Sequence, residues 1–445
     1  YMEKKKSKQS VQVDESNGEK MSTTVSKEMK NVGKMSSQGK KPFFDKRSSL
    51  KQNSFSDQIM PEETEAQTRK NRIDKKLGTA GWNVNDGSKV LIEVDTKNSD
   101  FNARNYKYKS ETLSEEKKAY ADYVLLDSKG DPLAVIEAKK ASVNPDVGQK
   151  QAEMYVDDIK KNYSKDILIY YTNGHQIWFW NKGHSNPRQL MGFHSQADLE
   201  RIRFQNISAK SFSDVKIDET IVNRDYQLEA IQRVVEGINS GRRRFLLVQA
   251  TGTGKTRVAM ALMDILIRTN RAQRILFLTD RTELNDQAFD ENIIKFFPSE
   301  SKQKVHSSTV DQNSRIYAST LQTMKNNYRD FPIGFFDVII SDEAHRSIYD
   351  SYGNILDYFD ATLIGLTATP TNQIEHDTYN TFDCPINTPT FSYDYEKAVP
   401  KYLAPYSVYQ AQTHFQVQGI RSEELQEQEK ERLLEEYGLE EDELN

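Results

Sequence analysis

At 445 residues the chain is too long for one ordinary core, and its length predicts two or three domains. Hydrophobic residues make up 36% of it. Its net charge of -5 excludes a uniformly basic nucleic-acid-binding protein, so any DNA contact must come from local clusters of Lys and Arg. The single cysteine excludes an internal disulfide, and no apolar stretch is long enough for a membrane helix, which together predict a cytoplasmic protein without a membrane partner.

The first segment, residues 1–55, is rich in Lys, Ser, Gln and Met and lacks apolar periodicity. Such a composition buries too little apolar surface to offset the entropy lost on ordering, so it predicts a polar, basic tail or linker. An arm that lies on DNA phosphates is the alternative, because basic residues outnumber acidic ones here. A helix is predicted to begin near Pro61, since PEETEAQTRKNRIDKKL carries acids in its first turn and bases in its last.

Residues 56–215 predict a first α/β domain. The runs VLIEV, DYVLLD and PLAVIEAKK are typical of strands, and QKQAEMYVDDIKK is typical of a helix. The run DILIYYTNGHQIWFW predicts a hairpin that turns at Asn173-Gly174.

One hairpin of this domain brings two acidic residues together. If its strands turn tightly at Lys129-Gly130, Asp122 falls directly opposite Glu137. Facing Cβ atoms lie about 4.5–5.5 Å apart, so the two carboxylates repel each other unless a divalent cation lies between them. Lys139 projects from the same face as Glu137, and an oxygen-only ligand set favours Mg²⁺ over zinc. Taken alone, Glu137 and Lys139 also fit exposed strand residues that balance charge.

This Asp, Glu-x-Lys arrangement resembles that of PD-(D/E)xK nucleases, whose carboxylates hold Mg²⁺ and whose lysine helps to place the attacking hydroxide. Gln151 and Tyr155 lie four residues apart on the predicted helix and are similar to the Gln-x-x-x-Tyr element of R subunits of type I restriction enzymes and of RecB-like nucleases. The resemblance also implies that Glu65 matches the acidic residue of the first nuclease helix and contacts a metal through water. The implied catalytic residues are Asp122, Glu137, Lys139, Gln151 and Tyr155, and the implied metal ligands are Asp122, Glu137 and Glu65.

Residues 216–392 predict a second α/β domain. Short apolar runs with polar ends, in RRFLLVQA, RILFLTD, RIYAST, FDVIISDEAH and TLIGLTATP, predict a parallel sheet with crossover helices. Ligands of such sheets bind at the carboxyl ends of the strands.

A glycine-rich loop lies between the first of these strands and a helix, in LLVQATGTGKTRVAMALMDIL. This context predicts a phosphate site built from backbone N–H groups and a helix start, with Lys255 on the terminal phosphates of ATP and Thr256 on Mg²⁺. A glycine-rich turn without a ligand is the alternative. The loop residues predicted to contact the nucleotide are Thr251, Gly252, Thr253, Gly254, Lys255 and Thr256.

The loop ATGTGKT resembles that of superfamily two helicases, although Gln249 stands where many phosphate loops have their first glycine. Resemblance to DEAH-box motors implies that Asp342 holds the Mg²⁺ of Mg-ATP and that Glu343 positions and deprotonates the attacking water. His345 is then expected to link the nucleotide site to Thr367 and Thr369 of GLTATP.

The same resemblance assigns further contacts to this motor domain. Gln227, in RDYQ, resembles the residue that reads adenine, although the start of a surface helix would explain the same letters. Three residues occupy positions where such motors contact the nucleic-acid backbone, and these are Arg281, Thr320 and Gln322.

The resemblance to R subunits of type I restriction enzymes covers roughly residues 60–420. It implies a restriction-endonuclease-like mixed-sheet domain followed by a RecA-like, parallel-sheet helicase domain. Residues 393–445 are expected to begin a second RecA-like domain or to form a linker with an acidic helix. This region is expected to be truncated, because nothing after Pro370 supplies the arginine-bearing elements that complete the ATP site.

The function implied is ATP-dependent translocation of double-stranded DNA coupled to Mg²⁺-dependent cleavage of unmodified DNA, with methylation and specificity subunits as partners. Two alternatives remain open from the sequence. One is a repair helicase or translocase whose nuclease-like domain only binds DNA, and the other is an interaction scaffold without catalytic activity.

Overall fold

The structure is a computed structural model that describes residues 63–96, 120–161, 165–306, 312–345, 352–370 and 378–406. The predicted basic tail and the predicted acidic carboxyl-terminal helix lie outside these residues. Among the described helices, none is both long and apolar enough to cross a membrane. The predicted fold class is confirmed, because a mixed sheet is followed along the chain by a wholly parallel one.

The first helical segment begins at a capping box rather than near the proline. The hydroxyl of Thr64 accepts the N–H of Gln67, and the side chain of Gln67 accepts the N–H of Thr64. The predicted start near Pro61 is therefore too early, since the capping residue fixes the first turn. The segment consists of helix α1, a π-turn and helix α2, in that order (Glu65–Thr68, Arg69–Ile73 and Asp74–Thr79).

The first sheet has six strands in sequential order. All neighbouring strands pair antiparallel except the third and fourth, which are parallel because helix α3 (Gln149–Lys160) crosses over between them. The strands are β1 (Val90–Asp95), β2 (Tyr120–Leu126), β3 (Pro132–Ala138), β4 (Leu168–Thr172), β5 (Ile177–Trp180) and β6 (Arg188–Leu190).

Helices cover both faces of this sheet. Helix α3 packs on one face through Val156 and Ile159. Helix α2, through Leu77, and helix α4 (Gln196–Ser208), through Leu199, belong to the core on the other face. The predicted strands, helix and hairpin of this domain are confirmed, and the three-residue strand β6 was not predicted.

The second sheet has seven parallel strands in the order β13-β7-β12-β11-β8-β10-β9. Its five central strands are the five predicted runs, and the three-residue edge strands escaped prediction because they are too short to show a pattern. Residue 393, where the predicted third region begins, is the last residue of an edge strand. The strands are β7 (Arg244–Gln249), β8 (Ile275–Thr279), β9 (Lys302–Lys304), β10 (Ile316–Thr320), β11 (Val338–Asp342), β12 (Thr362–Thr367) and β13 (Phe391–Tyr393).

Apolar cores lie on both sides of the parallel sheet. Two helices that flank the glycine-rich loop form one core, and a cluster of phenylalanines around Phe336 forms much of the other. The described helices of this domain are α5 (Asp225–Asn239), α6 (Lys255–Arg268), α7 (Thr282–Gln287), α8 (Ile294–Phe296), α9 (Leu321–Asn327), α10 (Gly353–Tyr358), α11 (Thr378–Thr381) and α12 (Tyr395–Ala398).

A buried carboxylate joins the two domains. The side chain of Asp360, which precedes β12, is 3% exposed and receives Nε and Nη2 of Arg188 from β6 at 2.5 and 2.6 Å. Nε2 of His194 lies 2.9 Å away and Nη2 of Arg243 lies 3.2 Å away. Burial by itself would raise the pKa of Asp360, but the charges of Arg188 and Arg243 hold it well below its usual value.

Candidate active sites

The β2–β3 pair brings the predicted acidic residues together. Tyr123 pairs with Ile136, so the next step along both strands places Asp122 opposite Glu137, as predicted. Both carboxylate residues are buried, at 9% and 4% exposure. The ammonium of Lys139, just beyond β3, lies 2.5 Å from Oε1 of Glu137.

The turn that sets this register differs from the prediction. The N–H of Asp127 donates to the carbonyl of Asp131 at 2.9 Å, so three residues rather than two form the turn, with Gly130 at φ +81°. The pairing then shifts by one residue between Leu125 and Leu126. This bulge compensates the longer turn, and for this reason the predicted opposition of the two acids survives.

Two donors fix the carboxylate of Asp122. Its Oδ2 accepts the N–H of Ala138 at 2.7 Å, and its Oδ1 accepts Nη1 of Arg69 at 2.7 Å. Burial raises the pKa of Asp122, although the bond from Ala138 and the charge of Arg69 act in the opposite direction. The other end of the Arg69 guanidinium binds Glu93 at 2.7 Å.

The sequence reasoning missed Arg69 and Glu93. A signal existed for both, because Arg69 follows Glu65 by one helical turn and Glu93 faces Asp122 in the β1–β2 register. The charge of Glu65 is among the causes that raise the pKa of Asp122 and of Glu137, so Glu65 lies near the site, and its contact with a metal through water stays a prediction.

The residues present fit a magnesium ion. Oε2 of Glu137 is buried and has no hydrogen-bond partner among the described residues, which is unfavourable for a carboxylate unless a cation meets it. Burial and the charge of Asp122 raise the pKa of Glu137 to about 7. Within the described ranges no three His, Cys, Asp or Glu side chains gather as a complete ligand set. Mg²⁺ needs no such cage, because it commonly takes one or two carboxylates together with water and phosphate oxygens.

The segment before α3 packs directly on this centre. A Cβ at Gly148, at the end of a turn of 3₁₀ helix, would lie 3.0 Å from Cγ of Glu137, so only glycine fits without displacement. Tyr155 of α3 is buried, and burial followed by the charge of Glu137 raises its pKa to about 12. Gln151 lies one turn earlier on α3 and is exposed. The two residues predicted together, Gln151 and Tyr155, therefore differ in position, because the tyrosine lies beside the carboxylates and the glutamine lies at the surface.

The glycine-rich loop joins β7 to α6 as predicted. Gly252 and Gly254 have φ of +84° and +85°, a left-handed conformation that glycine adopts without strain. Thr253 is buried and donates to the carbonyl of Ala250 at 2.7 Å, whereas Thr251 is exposed. Lys255 begins α6, so its N–H and that of Thr256 belong to the first helical turn and have no partner within the helix.

Gln227 and Tyr226, at the start of α5, both donate hydrogen bonds to this loop. The Tyr226 hydroxyl donates to the carbonyl of Thr253 at 2.7 Å, and Nε2 of Gln227 donates to the same oxygen at 3.1 Å. The predicted adenine-reading residue thus contacts the phosphate loop, and its adenine contact stays a prediction. Tyr226 was not singled out from the sequence, and it also stacks on Tyr393 at 4.0 Å between ring centroids.

The DEAH segment lies at the carboxyl end of β11, beside the loop. Burial, and then the charge of Glu343, raises the pKa of Asp342 to about 6. Glu343 has φ +52°, a left-handed conformation that is strained for a residue with a Cβ. Its Oε1 lies 3.7 Å from Nζ of Lys255. The two adjacent acids therefore face the lysine of the phosphate loop, and this geometry suits a nucleotide-bound cation.

A hydrogen bond links this segment to the next strand end. Nδ1 of His345 lies 2.9 Å from Oγ1 of Thr367, and Oγ1 of Thr367 also accepts the N–H of Thr369 at 3.1 Å. Nδ1 of His345 lies 3.4 Å from Glu343 as well. The predicted connection between β11 and β12 is therefore present in the structure.

The three residues predicted to contact DNA lie at or just beyond the carboxyl ends of β8 and β10, which are neighbouring strands of the sheet. The side chain of Arg281 is 65% exposed. Thr320 instead caps α9, since its hydroxyl accepts the N–H of Thr323 at 3.2 Å. Oε1 of Gln322 accepts the hydroxyl of Tyr352 at 2.8 Å. The structure thus gives Thr320 a local structural role, and DNA contact by the three residues stays a prediction.

Comparisons with known proteins agree with this two-domain arrangement. Residues 62–188 match the family model described as Type I restriction enzyme R protein N terminus, and residues 220–372 match the one described as Type III restriction enzyme, res subunit. The Type I restriction enzyme EcoAI endonuclease subunit of Escherichia coli is 30% identical over 331 residues, which are 68% of this chain and 39% of that protein.

Two further relatives are similar. The EcoKI endonuclease subunit of Escherichia coli strain K12 is 26% identical over 382 residues, covering 67% of this chain and 32% of that protein. A solved fragment assigned to an HsdR subunit of a type I restriction enzyme from Vibrio vulnificus YJ016 is 28% identical, covers 76% of this chain and 61% of that chain, and has a TM-score of 0.33. The chain thus spans about a third of the length of the two curated relatives.

Proposed function

The chain belongs to the family of type I restriction enzyme R subunits, and from that membership we propose that it couples ATP-driven movement of double-stranded DNA to cleavage. Cleavage takes place at a Mg²⁺-dependent centre and acts on unmodified DNA, which makes the enzyme a type I site-specific deoxyribonuclease. The observation that carries the proposal is Oε2 of Glu137, which is buried without a hydrogen-bond partner among the described residues and lies beside Asp122 and Lys139, in the same chain as a phosphate loop.

In the nuclease centre, Asp122 and Glu137 would hold Mg²⁺, which when bound polarises the scissile phosphate and lowers the pKa of a coordinated water. The N–H of Ala138 and the guanidinium of Arg69 keep the Asp122 carboxylate in one orientation. Lys139 brings a positive charge to the same face and stabilises the hydroxide that attacks phosphorus. Tyr155, whose pKa is about 12, stays protonated near neutral pH and can donate a hydrogen bond to substrate.

In the motor centre, Lys255 and the first N–H groups of α6 bind the phosphates of ATP. Thr256 and Asp342 would hold the Mg²⁺ that accompanies ATP, and Glu343 accepts a proton from the attacking water. The bond from His345 to Thr367 carries a change at this site to the end of β12. Gln227 and Tyr226, which hold the carbonyl of Thr253, are expected to keep the loop open for nucleotide.

The proposed partners are double-stranded DNA and the methylation and specificity subunits of one complex, acting in the cytoplasm. A backbone-tracking motor needs no base-specific contacts, so recognition of the DNA sequence is assigned to the other subunits. Arg281 and Gln322, both exposed at one edge of the parallel sheet, are the proposed contacts to phosphates.

Cleavage of circular DNA by the reconstituted complex, with and without ATP and on methylated and unmethylated substrate, tests the proposal. Asp122→Asn should abolish cleavage and retain ATPase activity, whereas Lys255→Ala should abolish both. Asp157→Asn, the same chemical change at an exposed position of α3, is the matched control and should leave both activities unchanged.

The outcomes also separate the two rival functions. A repair helicase whose nuclease-like domain only binds DNA predicts ATPase activity without cleavage in the wild type and in every variant. An interaction scaffold predicts that Lys255→Ala changes no nucleotide affinity. Cleavage that is indifferent to both ATP and methylation would reject the restriction assignment.

A further inference from the structure

Both carboxylates of the nuclease centre are covered by cationic side chains. Lys139 lies on Oε1 of Glu137, and Arg69 lies on Oδ1 of Asp122 at 2.7 Å. Lys139 belongs to the recognised nuclease pattern, but no known pattern of this chain accounts for Arg69. Its side chain is 19% exposed and is therefore committed to this site rather than to solvent.

A second acid holds the same guanidinium from the other side. Nη2 of Arg69 binds Glu93 at 2.7 Å while Nη1 binds Asp122, so one planar group bridges two carboxylates on neighbouring strands. Burial opposes the charge on Arg69, but the bond to Glu93 and the charge of Asp122 leave its pKa above the usual value.

The backbone is distorted on both sides of this bridge. Arg69 is the first residue of the π-turn that interrupts the helix between α1 and α2, and such turns are frequent at functional sites. Glu93 has φ +51° in the middle of β1, a conformation that costs roughly 1–3 kcal/mol for a residue with a Cβ. Two local distortions of the backbone therefore meet in this one ion-pair bridge.

A metal ion held by Asp122 and Glu137 would share the Asp122 carboxylate, each oxygen of which already accepts a donor, with the Arg69 guanidinium. The two positive charges repel each other at this short distance, so ion binding weakens the bond between Arg69 and Asp122. Glu93 keeps its own bond to Arg69 and offers the displaced group a place beside the centre. An N–H group released from Asp122 is then free to bind an oxygen of the DNA phosphate, for which a guanidinium is well suited.

Resting on the proposed nuclease function, we propose that Arg69 competes with the metal ion for Asp122 and that its bond to Glu93 holds it beside the centre when the ion binds. The competition predicts opposite changes in metal affinity for two substitutions, which a purely structural role of Arg69 does not. Removing the charge of Arg69 should tighten ion binding, and removing the charge of Glu93, which leaves Arg69 with Asp122 alone, should weaken it.

Binding of Mn²⁺ to the full chain, followed by electron paramagnetic resonance of the free ion, measures this effect without substrate. The ion counted is the one lost in Asp122→Asn, so that Mn²⁺ at the nucleotide site does not contribute. Arg69→Gln should bind this ion on the order of tenfold more tightly than wild type, and Glu93→Gln should bind it several-fold more weakly. Arg69→Lys keeps the charge and should stay close to wild type.

Arg72→Gln is the matched control. Arg72 lies in the same π-turn but pairs with Glu63 at 2.7 Å, away from Asp122, so its loss should leave Mn²⁺ affinity unchanged. Shifts of the same sign in Arg69→Gln and Glu93→Gln, or no shift in either, would overturn the competition. In the assembled complex, Arg69→Gln should also cut DNA more slowly than wild type despite its tighter ion, because the phosphate contact is lost.

Failure of this proposal differs from failure of the nuclease assignment. If wild type holds an Asp122-dependent ion whose affinity is the same in Arg69→Gln, the nuclease centre stands and the role of Arg69 falls. If neither wild type nor Arg69→Gln holds such an ion, the nuclease centre is rejected and the competition with it.

Discussion

Replacing Asp360 by Asn should loosen the junction between the two domains. Each carboxylate oxygen of Asp360 accepts two donors, with Arg188 Nε and Arg243 Nη2 on Oδ1 and with Arg188 Nη2 and His194 Nε2 on Oδ2. An asparagine keeps one acceptor oxygen, so two bonds to charged or polar donors are lost. At roughly 1.5–3 kcal/mol for each hydrogen bond to a charged group, the loss is about 3–6 kcal/mol, which overlaps the roughly 3–5 kcal/mol for breaking a buried ion pair.

Denaturant unfolding followed by tryptophan fluorescence measures this loss in the free energy of unfolding. All three tryptophans, Trp82, Trp178 and Trp180, lie in the first domain, so their fluorescence follows the unfolding of the domain whose Arg188 and His194 bind Asp360. Asp157→Asn removes a carboxylate that is 58% exposed and should cost less than about 1 kcal/mol. A loss below about 1 kcal/mol in Asp360→Asn as well would refute the idea that this carboxylate fastens the domains.

The pH dependence of the same variant follows from the sign of the pKa shift. The pKa of Asp360 is lower in the folded protein than in the unfolded chain, so its contribution is complete above the unfolded pKa of about 3.9. The contribution is lost as the pH falls further, through the folded pKa. The difference in free energy of unfolding between wild type and Asp360→Asn should therefore shrink as the pH falls below about 4.

Three further predictions concern the nucleotide site. Lys255→Ala should weaken binding of a fluorescent ATP analogue by about tenfold or more and leave the free energy of unfolding unchanged, because the nearest carboxylate, on Glu343, is 3.7 Å away; affinity within twofold of wild type would contradict the assignment. Gly254→Ala should lower stability by about 1–2 kcal/mol in the same denaturation assay, because φ is +85° and the new Cβ would lie 2.8 Å from Nε2 of Gln227. Gln249→Met should raise the free energy of unfolding by about 1–3 kcal/mol, because both amide atoms of Gln249 are buried without a partner among the described residues; a loss of stability would show that the amide is satisfied.

Much of the site followed from local pattern because the relevant spacing is short. Period-two alternation fixed which residues of β2 and β3 share a face, and the short link between them limited the register to one or two choices. Even so, the predicted turn was one residue too short, and a bulge near Leu125 restored the opposition of Asp122 and Glu137. A hairpin pattern cannot reveal two compensating irregularities of this kind.

The order of the parallel strands was beyond reach of the sequence. The loop after β7 and the acids after β11 are separated by about ninety residues of chain, and β12 lies between those strands in the sheet. Only this arrangement brings Lys255 within 3.7 Å of Glu343. The rule that ligands bind at the carboxyl ends of strands predicted that the nucleotide site lies at that end of the parallel sheet, but it did not predict which strand ends are neighbours.

The sequence alone determined the chemistry that the chain carries, since residue types and short-range spacing are local properties. It identified two carboxylates and a lysine on one hairpin, and a phosphate loop with its acidic partner. Only the tertiary structure decided which residues from distant parts of the chain contact these sites, because such contacts depend on how helices and sheets pack. The guanidinium of Arg69 on Asp122 and the fastening of both domains at Asp360 are of this second kind.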